Sequence, residues 1–261
     1  MDIKRRDFLK WAGLGASMGL GARSLWEVVR GEEAWATTRH ETSDGVRWAM
    51  VVDTTKCASH SDCRDCIAAC HKVHNVPAFE DPRREIKWIW RETFAGAFAD
   101  EQHVFMGSQI LSRTVPVLCN HCDNPPCVRV CPTGATFKRK KDGVVMMDMH
   151  RCIGCRYCIA GCPYGARSFN WVDPRDHIAT LNPDYPTRTR GVVEKCTFCA
   201  ERIAENPEHP VPACVEACRY EALLFGNLGD PTSAVRKALE GRYTLRRKPG
   251  LGTGPSVFYL I

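Results

Sequence analysis

The chain has 261 residues, a formal net charge of +6, and 16 cysteines. This length supports a hydrophobic core, whereas disulfide-dense scaffolds are small, so a disulfide framework is disfavoured. The positive charge forms no basic stripe interleaved with aromatic residues, which disfavours nucleic-acid binding.

The N-terminus has the pattern of an export signal. The pair Arg5-Arg6 is followed by Phe-Leu-Lys and by a weakly apolar stretch that is too short to span a bilayer. Further on, Ala34-Trp35-Ala36 fits an A-x-A cleavage site. We expect residues 1–36 to be a twin-arginine (Tat) signal peptide, cleaved after Ala36, that takes the folded protein to the periplasmic face of the cytoplasmic membrane.

The remainder of the chain is expected to be one tandem domain of the α+β class. Residues 37–45 are predicted to be a linker, 46–229 a ferredoxin-type domain, and 230–261 a C-terminal extension. Strand-like composition beside the cysteine loops occurs at 46–53, 85–91, 115–118 and 144–148. No segment after the signal is apolar enough to span a membrane. The apolar end at 257–261 fits a core strand and a docking tail equally well.

All sixteen cysteines fall in four groups of four. The groups are Cys57/Cys63/Cys66/Cys70, Cys119/Cys122/Cys127/Cys131, Cys152/Cys155/Cys158/Cys162 and Cys196/Cys199/Cys214/Cys218. Each group ends in C-x3-C, and the third reads C-x2-C-x2-C-x3-C-P. In that spacing three thiolates hold one [4Fe–4S] cluster and the fourth reaches a neighbouring cluster. Shared ligands require paired runs, so we expect two ferredoxin-like lobes with pseudo-two-fold symmetry and irregular insertions.

Other metal chemistry fits the cysteine spacing less well. The pairs Cys119/Cys122 and Cys196/Cys199 have the spacing that begins a zinc ribbon. A third cysteine at x2, as in the third group, is not what four-coordinate zinc uses. No C-x-x-C-H run for haem attachment occurs. A zinc-stabilised structural module is therefore the remote alternative.

The sequence also indicates roles for the basic residues of the chain and for the histidines near the cysteine runs. A four-thiolate cluster carries a charge of about −2 when oxidised, so the basic residues are interpreted as compensation for buried cluster charge. His71, His74, His121 and His150 lie near the cysteine runs. Hydrogen bonding to the loop backbone is the favoured role for them, and proton transfer the alternative.

Three segments carry a family resemblance. CNHCDNPPCVRVCPTGA at 119–135, RCIGCRYCIAGCPYG at 151–165 and EKCTFC at 194–199 resemble the four-cluster iron–sulfur subunits of the polysulfide/DMSO reductase (DmsB/PsrB/NrfC-like) family. Within it, the twin-arginine start and segments 71–77 and 185–191 look most like the DsrO type of the DsrMKJOP sulfur-metabolism complexes.

The resemblance implies four cluster sites. They are site 1 (Cys57, Cys63, Cys66, Cys218), site 2 (Cys119, Cys122, Cys127, Cys162), site 3 (Cys131, Cys152, Cys155, Cys158) and site 4 (Cys70, Cys196, Cys199, Cys214). Site 1 departs from the family pattern, because five residues rather than two separate Cys57 from Cys63. Either Cys57 binds from a bulged loop, or His60 or no residue takes its place, which would leave three regular clusters.

The function implied by the resemblance is electron transfer without a substrate site. Electrons would pass between an integral membrane, quinone-reactive subunit of the NrfD/PsrC/DsrP type and another redox subunit, for which the Dsr interpretation suggests a multihaem cytochrome c. The chain has no nucleotide-binding glycine-rich fingerprint and no nucleophile–base constellation. The main alternative is the electron-relay subunit of a periplasmic molybdopterin oxidoreductase of the polysulfide, tetrathionate or DMSO type.

Overall fold

A computed structural model describes residues 45–261 of the chain. The predicted signal peptide at 1–36 and nearly all of the predicted linker lie outside the described residues. Within 45–261, short strands and short helices alternate around the cysteine loops, which confirms the α+β class. No helix in this range combines the length and the apolar composition that a membrane crossing needs.

The strands and helices are short because the cysteine loops interrupt them. The strands are β1 (Trp48–Asp53), β2 (Ile89–Thr93), β3 (Thr114–Leu118), β4 (Thr136–Lys138), β5 (Val145–Met147), β6 (Ser168–Phe169), β7 (Val193–Glu194), β8 (Leu223–Asn227), β9 (Thr244–Leu245) and β10 (Val257–Leu260). The α-helices are α1 (Thr54–Ala58), α2 (Asp65–Val73), α3 (Phe94–Ala97), α4 (Ser108–Leu111), α5 (Pro126–Arg129), α6 (Tyr157–Ala160), α7 (Ala200–Glu205), α8 (Ala213–Glu216) and α9 (Ala234–Gly241). Short 3-10 helices occupy Pro82–Arg84, Ala99–Glu101, Arg175–His177 and Pro249–Leu251.

A four-stranded sheet in the order β8-β1-β10-β9 contains the C-terminus. Strand β1 pairs antiparallel with β8 and parallel with β10, and it is buried along its whole length. Val257 and Tyr259 of β10 are fully buried. The apolar end of the chain is therefore a core strand, and the segment 230–261 is part of the same sheet as the start of the domain.

Three antiparallel hairpins complete the strand pairing: β2 with β3, β4 with β5, and β6 with β7. The strand expected at 85–91 is corrected to Ile89–Thr93, because a 3-10 helix at Pro82–Arg84 precedes it and the backbone between them is irregular. The strand expected at 46–53 begins two residues later, at Trp48. The remaining two expected strands are found within one or two residues.

Two pairs of packed helices repeat the same arrangement around the C-x3-C motifs. Helix α2 packs on α8, and α5 packs on α6. Each of these segments carries two cysteines four residues apart, which is about one helical turn or 5.4 Å along the axis. The first pair belongs to the first and fourth cysteine groups, and the second pair to the second and third groups. We call the first arrangement lobe A and the second lobe B.

A long connection is held by a buried ion pair. Arg188 and Glu194 are almost completely buried, with Nη2 of the arginine 2.6 Å from Oε2 of the glutamate. The Nε1–H of Trp88 donates to the same carboxylate at 3.0 Å, and Arg188 also donates to the carbonyl oxygen of His74. This network anchors the connection before β7 to the segment that follows α2.

Candidate metal centres

All sixteen cysteines lie within the described residues and are free thiols. The structure gathers them in the four sets that the family resemblance implies. In each set, three sulfur atoms come from one cysteine group and the fourth comes from the last cysteine of the partner group. That each site binds a [4Fe–4S] cluster stays a prediction, which the geometry of the four sites supports.

Site 1 is a pocket lined by Cys57, Cys63, Cys66 and Cys218. Helix α1 carries Cys57 and begins at a cap in which the Asp53 carboxylate accepts from the N–H groups of Thr55 and Lys56, both at 3.0 Å. Of the five residues in the spacer, Ala58 ends α1 and residues 59–62 form turns, with His60 N–H donating to the Cys57 carbonyl and Cys63 N–H to the His60 carbonyl. The longer spacer therefore still brings Cys57 to the other three thiols.

His60 lines the same pocket but is already engaged in a ring stack. The centroid of its imidazole lies 3.5 Å from the ring centroid of Tyr220 at an interplanar angle of 6°. The stack holds the spacer against the residues that follow Cys218. All four cysteines line this pocket, so cluster binding through Cys57 stays the prediction for site 1.

Sites 2 and 3 lie side by side in lobe B. One pocket is lined by Cys119, Cys122, Cys127 and Cys162, and the other by Cys131, Cys152, Cys155 and Cys158. The crossover follows from helix geometry, since α5 gives Cys127 to site 2 and leads to Cys131 of site 3. Helix α6 does the reverse, with Cys158 in site 3 and Cys162 just beyond its end in site 2.

Site 4 is the most enclosed set, because all four of its cysteines are buried. Burial, followed by the neighbouring thiols of Cys196, Cys214 and Cys199, raises the pKa of Cys70 well above its ordinary value. Thiols with raised pKa values keep their protons until a metal displaces them, so metal binding here releases protons. This electrostatic coupling also shows that Cys70 of the first group lies among the cysteines of the fourth.

The x2 spacers at 119–122, 152–155 and 196–199 share one backbone feature. Their second residue is His121, Gly154 or Phe198, and each lies in the left-handed region with φ of 40°, 71° and 57°. A left-handed residue turns the chain sharply, so that cysteines on both sides of it face the same pocket. At Gly154 a Cβ would meet the carbonyl oxygen of Gly191 at 2.6 Å, which explains why glycine stands there.

The four sites follow one another in the order 1–4–2–3. Cys66 of site 1 interacts electrostatically with Cys70 of site 4, one helical turn away on α2. Sites 4 and 2 meet where Cys196 interacts with Cys119. The rings of His121 and Phe198, one from each spacer, stack there with centroids 3.7 Å apart.

Two buried cations lie among these thiols without an acidic partner in residues 45–261. Arg167 donates from Nη2 to Cys127 Sγ at 3.1 Å, and Lys195 donates from Nζ to two backbone carbonyl groups, including that of Cys196 at 2.7 Å. Burial lowers the pKa of Lys195, while the charges of Cys119 and Cys196 oppose that shift. Buried cations need a counter-charge, and thiolate-bound anionic clusters supply one. The residues present therefore fit [4Fe–4S] groups.

The histidines mostly bind backbone, as favoured from the sequence. His74 contacts the Cys70 carbonyl through Nδ1 at 2.8 Å, and His121 Nδ1 accepts from the N–H of Val145 at 3.1 Å. His74 Nε2 also contacts Glu201 at 2.8 Å. These two and Cys199 bring ligating atoms within 4.8 Å of one another, but Cys199 already belongs to site 4.

Sequence reasoning missed Arg167, Lys195 and Glu201 as neighbours of the cysteine sites. The signal for Lys195 was its position directly before Cys196. Arg167 lies five residues beyond Cys162 and reaches site 2 only through the fold. No local pattern marks it.

Apolar side chains are exposed around site 3. Ile153 lines the pocket and is 67% exposed, while Tyr157 beside Cys158 is 62% exposed. Trp171 is 49% exposed and lies under the guanidinium group of Arg156, 4.7 Å from the ring centroid. This end of the series of sites has the composition of a contact surface.

Comparisons with known proteins agree with this geometry. Residues 111–177, which contain sites 2 and 3, match the family described as a 4Fe-4S dicluster domain. The chain is 42% identical to the Hdr-like menaquinol oxidoreductase iron-sulfur subunit 1 of Archaeoglobus fulgidus, covering 98% of this chain and 97% of that protein. It is 35% identical to the menaquinone reductase iron-sulfur cluster-binding subunit of Nitratidesulfovibrio vulgaris, over 82% and 89%. It is 36% identical to the B subunit of tetrathionate reductase from Salmonella typhimurium, over 100% and 89%.

Proposed function

The chain belongs to the family of iron–sulfur subunits that includes the NrfC, PsrB, DmsB and Hdr-like menaquinol oxidoreductase types, and we propose that it relays electrons through four [4Fe–4S] clusters between two redox partners. The observation that carries this proposal is the continuous series of sites 1–4–2–3. A bound [4Fe–4S] cluster supplies a one-electron redox centre, and the thiolates of this chain hold it. Like its relatives, the chain is an electron-transfer subunit rather than a catalytic one.

The two middle sites of the series, 4 and 2, are more buried than the two end sites, 1 and 3. The cysteines of site 4 and three of those of site 2 are buried, whereas those of site 1 and three of those of site 3 are half-exposed. Electrons enter and leave where a partner can approach a site closely. We therefore assign one redox partner to site 1 and the other to site 3.

For one of these partners we propose an integral membrane, quinone-reactive subunit of the NrfD/PsrC/DsrP type. The names of two relatives refer to menaquinol or menaquinone, which supports this choice. The exposed apolar side chains of Ile153, Tyr157 and Trp171 suit a permanent subunit contact at site 3.

For the whole assembly we propose a DsrMKJOP-type sulfur-metabolism complex with a multihaem cytochrome c, on the periplasmic face of the membrane. The support is the twin-arginine motif together with the segments 71–77 and 185–191. Replacing Arg5 and Arg6 by lysine together should leave the protein in the cytoplasm, whereas Lys4→Arg should not. Equal export of both variants, measured by cell fractionation, would contradict the proposed location.

A second assembly is supported by the likeness to the tetrathionate reductase protein of Salmonella typhimurium, which extends over the whole chain. In it, the protein would be the relay subunit of a molybdopterin oxidoreductase. Purification from detergent-solubilised membranes separates the two proposals. A large molybdopterin-containing subunit in the complex supports the second, and a multihaem cytochrome supports the first.

The cluster content is tested on the protein purified without oxygen. We expect iron and acid-labile sulfide at about sixteen of each per chain, with an EPR signal that appears on reduction. Cys57→Ser should lower the iron content only through site 1. A colourless protein that contains zinc, or about twelve iron atoms in the unmodified chain, would contradict four clusters.

A further inference from the structure

Site 2 differs from the other sites in the groups that face its sulfur atoms. Arg167 lines its pocket, is only 5% exposed, and donates to Cys127 Sγ at 3.1 Å. Its other terminal nitrogen donates to Thr136 Oγ1 at 2.9 Å. Among residues 45–261, no carboxylate lies within 4 Å of this guanidinium group.

A second cation is buried between site 2 and site 4. Lys195 is fully buried, and its ammonium group donates to the carbonyl oxygens of Val145 and Cys196. Val145 lines the site 2 pocket. The described part of the chain places no acidic group against this lysine, and Cys119 of site 2 is the thiol with which it interacts most strongly.

Neutral donors add to the two cations. The side-chain amide of Asn120 lines the pocket, is 99% buried, and has no hydrogen-bond partner within 45–261. The Thr253 hydroxyl is hydrogen-bonded to the hydroxyl of Tyr164, which lines the pocket, and it lies close to the Cys122 thiol. An amide without a partner at this depth costs free energy unless a group bound in the pocket accepts its hydrogen bond.

The other sites lack this combination. At site 1, Arg91 donates to the carbonyl oxygen of Cys63 and to Thr114, and the carboxylate of Asp65 also lines the pocket. At site 3, Arg156 is exposed and lies over aromatic rings. At site 4, Lys195 also donates to the Cys196 carbonyl, but the carboxylate of Glu201 lies close to Cys199 and contacts His74 at 2.8 Å.

We propose that site 2 has the highest reduction potential of the four sites, set by Arg167, Lys195, Asn120 and Thr253. Reduction adds one negative charge to a site from which water is excluded. Nearby cations and hydrogen-bond donors stabilise that charge and so raise the potential. In the partly reduced protein, the electron would therefore occupy site 2, an inner site of the series, rather than site 1 or site 3. The inference rests on the proposed four-cluster relay.

The test is an EPR-monitored redox titration of the full-length holoprotein, with dithionite as the electron donor. Thr253→Val removes a hydroxyl that lies close to the Cys122 thiol of site 2, so we expect a downward shift of the midpoint of the first-reduced cluster only. Thr253→Ser should restore that midpoint. Arg167→Gln should shift it further than Thr253→Val, because it removes a full charge at hydrogen-bond distance. Arg156→Gln is the matched control and should leave it unchanged.

The inference is overturned if Thr253→Val, at full iron content, shifts a later step or no step. Should a variant lose about four iron atoms, disappearance of the first-reduced signal supports the inference, and its retention overturns it. Iron well below sixteen in the unmodified protein contradicts the proposed function instead. The two failures are therefore distinguishable.

Discussion

Gly154 shows how strictly single positions in the cysteine loops are constrained. It lies in the left-handed region and faces the backbone of Gly191 at a distance that leaves no room for a Cβ. His121 and Phe198 take the same conformation at the equivalent positions of their spacers, where their rings stack on each other. The stack offsets the cost of a left-handed non-glycine residue, which is of order 1 kcal/mol.

We predict that Gly154→Ala disrupts site 3. The methyl group would clash with the Gly191 carbonyl, so the free energy of unfolding should fall by about 1–3 kcal/mol and up to about four iron atoms should be lost. Gly134→Ala is the matched control, since its φ is +65° but nothing lies within 4 Å of its Cβ. The iron content and the urea unfolding of the two variants are measured and compared. Equal effects would show that the φ angle alone matters.

We also predict that Arg188→Gln is strongly destabilising. It leaves Glu194 charged and buried, with a cost of about 3–5 kcal/mol in the free energy of unfolding. Arg175→Gln removes an ion pair between an exposed arginine and the half-buried Asp173, and little change is expected. Urea unfolding under anaerobic conditions measures both. A small effect of Arg188→Gln would mean that the buried pair does not hold the connection before β7.

At the scale of elements, the first cysteine group depends on the one-turn helix α1. A helix of five residues is marginal by itself, so its cap and its packing decide whether it forms. Burial acts to raise the pKa of Asp53, but the N–H groups of Lys56 and Thr55 and the guanidinium of Arg242 outweigh it and hold this pKa below its usual value. The capping carboxylate is therefore charged at neutral pH.

Asp53→Ala should loosen α1 and weaken site 1. The lost cap costs about 1 kcal/mol, and Cys57 at the end of α1 is then held less firmly. Asp53→Asn keeps an acceptor for the cap and should retain more iron. The measurement is the rate of iron loss to a chelator in the two variants. If they lose iron equally fast, the ion pair with Arg242 matters more than the cap.

Much of the site could be predicted from the sequence, because the cysteine spacing within each group reflects local loop geometry. The strand before α1 and the helical turns of the C-x3-C motifs are local in the same sense. The position of Arg167 beside Cys127 is not local, since 40 residues separate them. The parallel pairing of β1 with β10 joins the two ends of the described chain, and no short pattern encodes such a contact.

At the scale of the whole molecule, burial differs along the series of sites. The outer sites 1 and 3 have mostly half-exposed cysteines, and the inner sites 4 and 2 mostly buried ones. Oxygen and chelators reach exposed sites first. The order 1–4–2–3 therefore predicts two classes of cluster stability in one protein.

We expect iron to be lost in two phases when the holoprotein is exposed to air. The fast phase should account for about half of the iron, from sites 1 and 3, and the slow phase for the remainder. The measurement is iron content against time, with an anaerobic sample as the control. Cys155→Ser should reduce the fast phase only. A single phase would mean that the inner sites are not protected by their burial.

The sharing of cysteines between groups also determines when each lobe acquires its full set of thiols during translation. Lobe B has all eight of its thiols once residue 162 has left the ribosome, because they lie between 119 and 162. Lobe A must wait for Cys218, since Cys214 on α8 completes site 4 and Cys218, just beyond α8, completes site 1. The nascent chain thus carries the four thiols of the first cysteine group for the translation of about 150 further residues, the interval in which it most needs a chaperone or an iron–sulfur carrier.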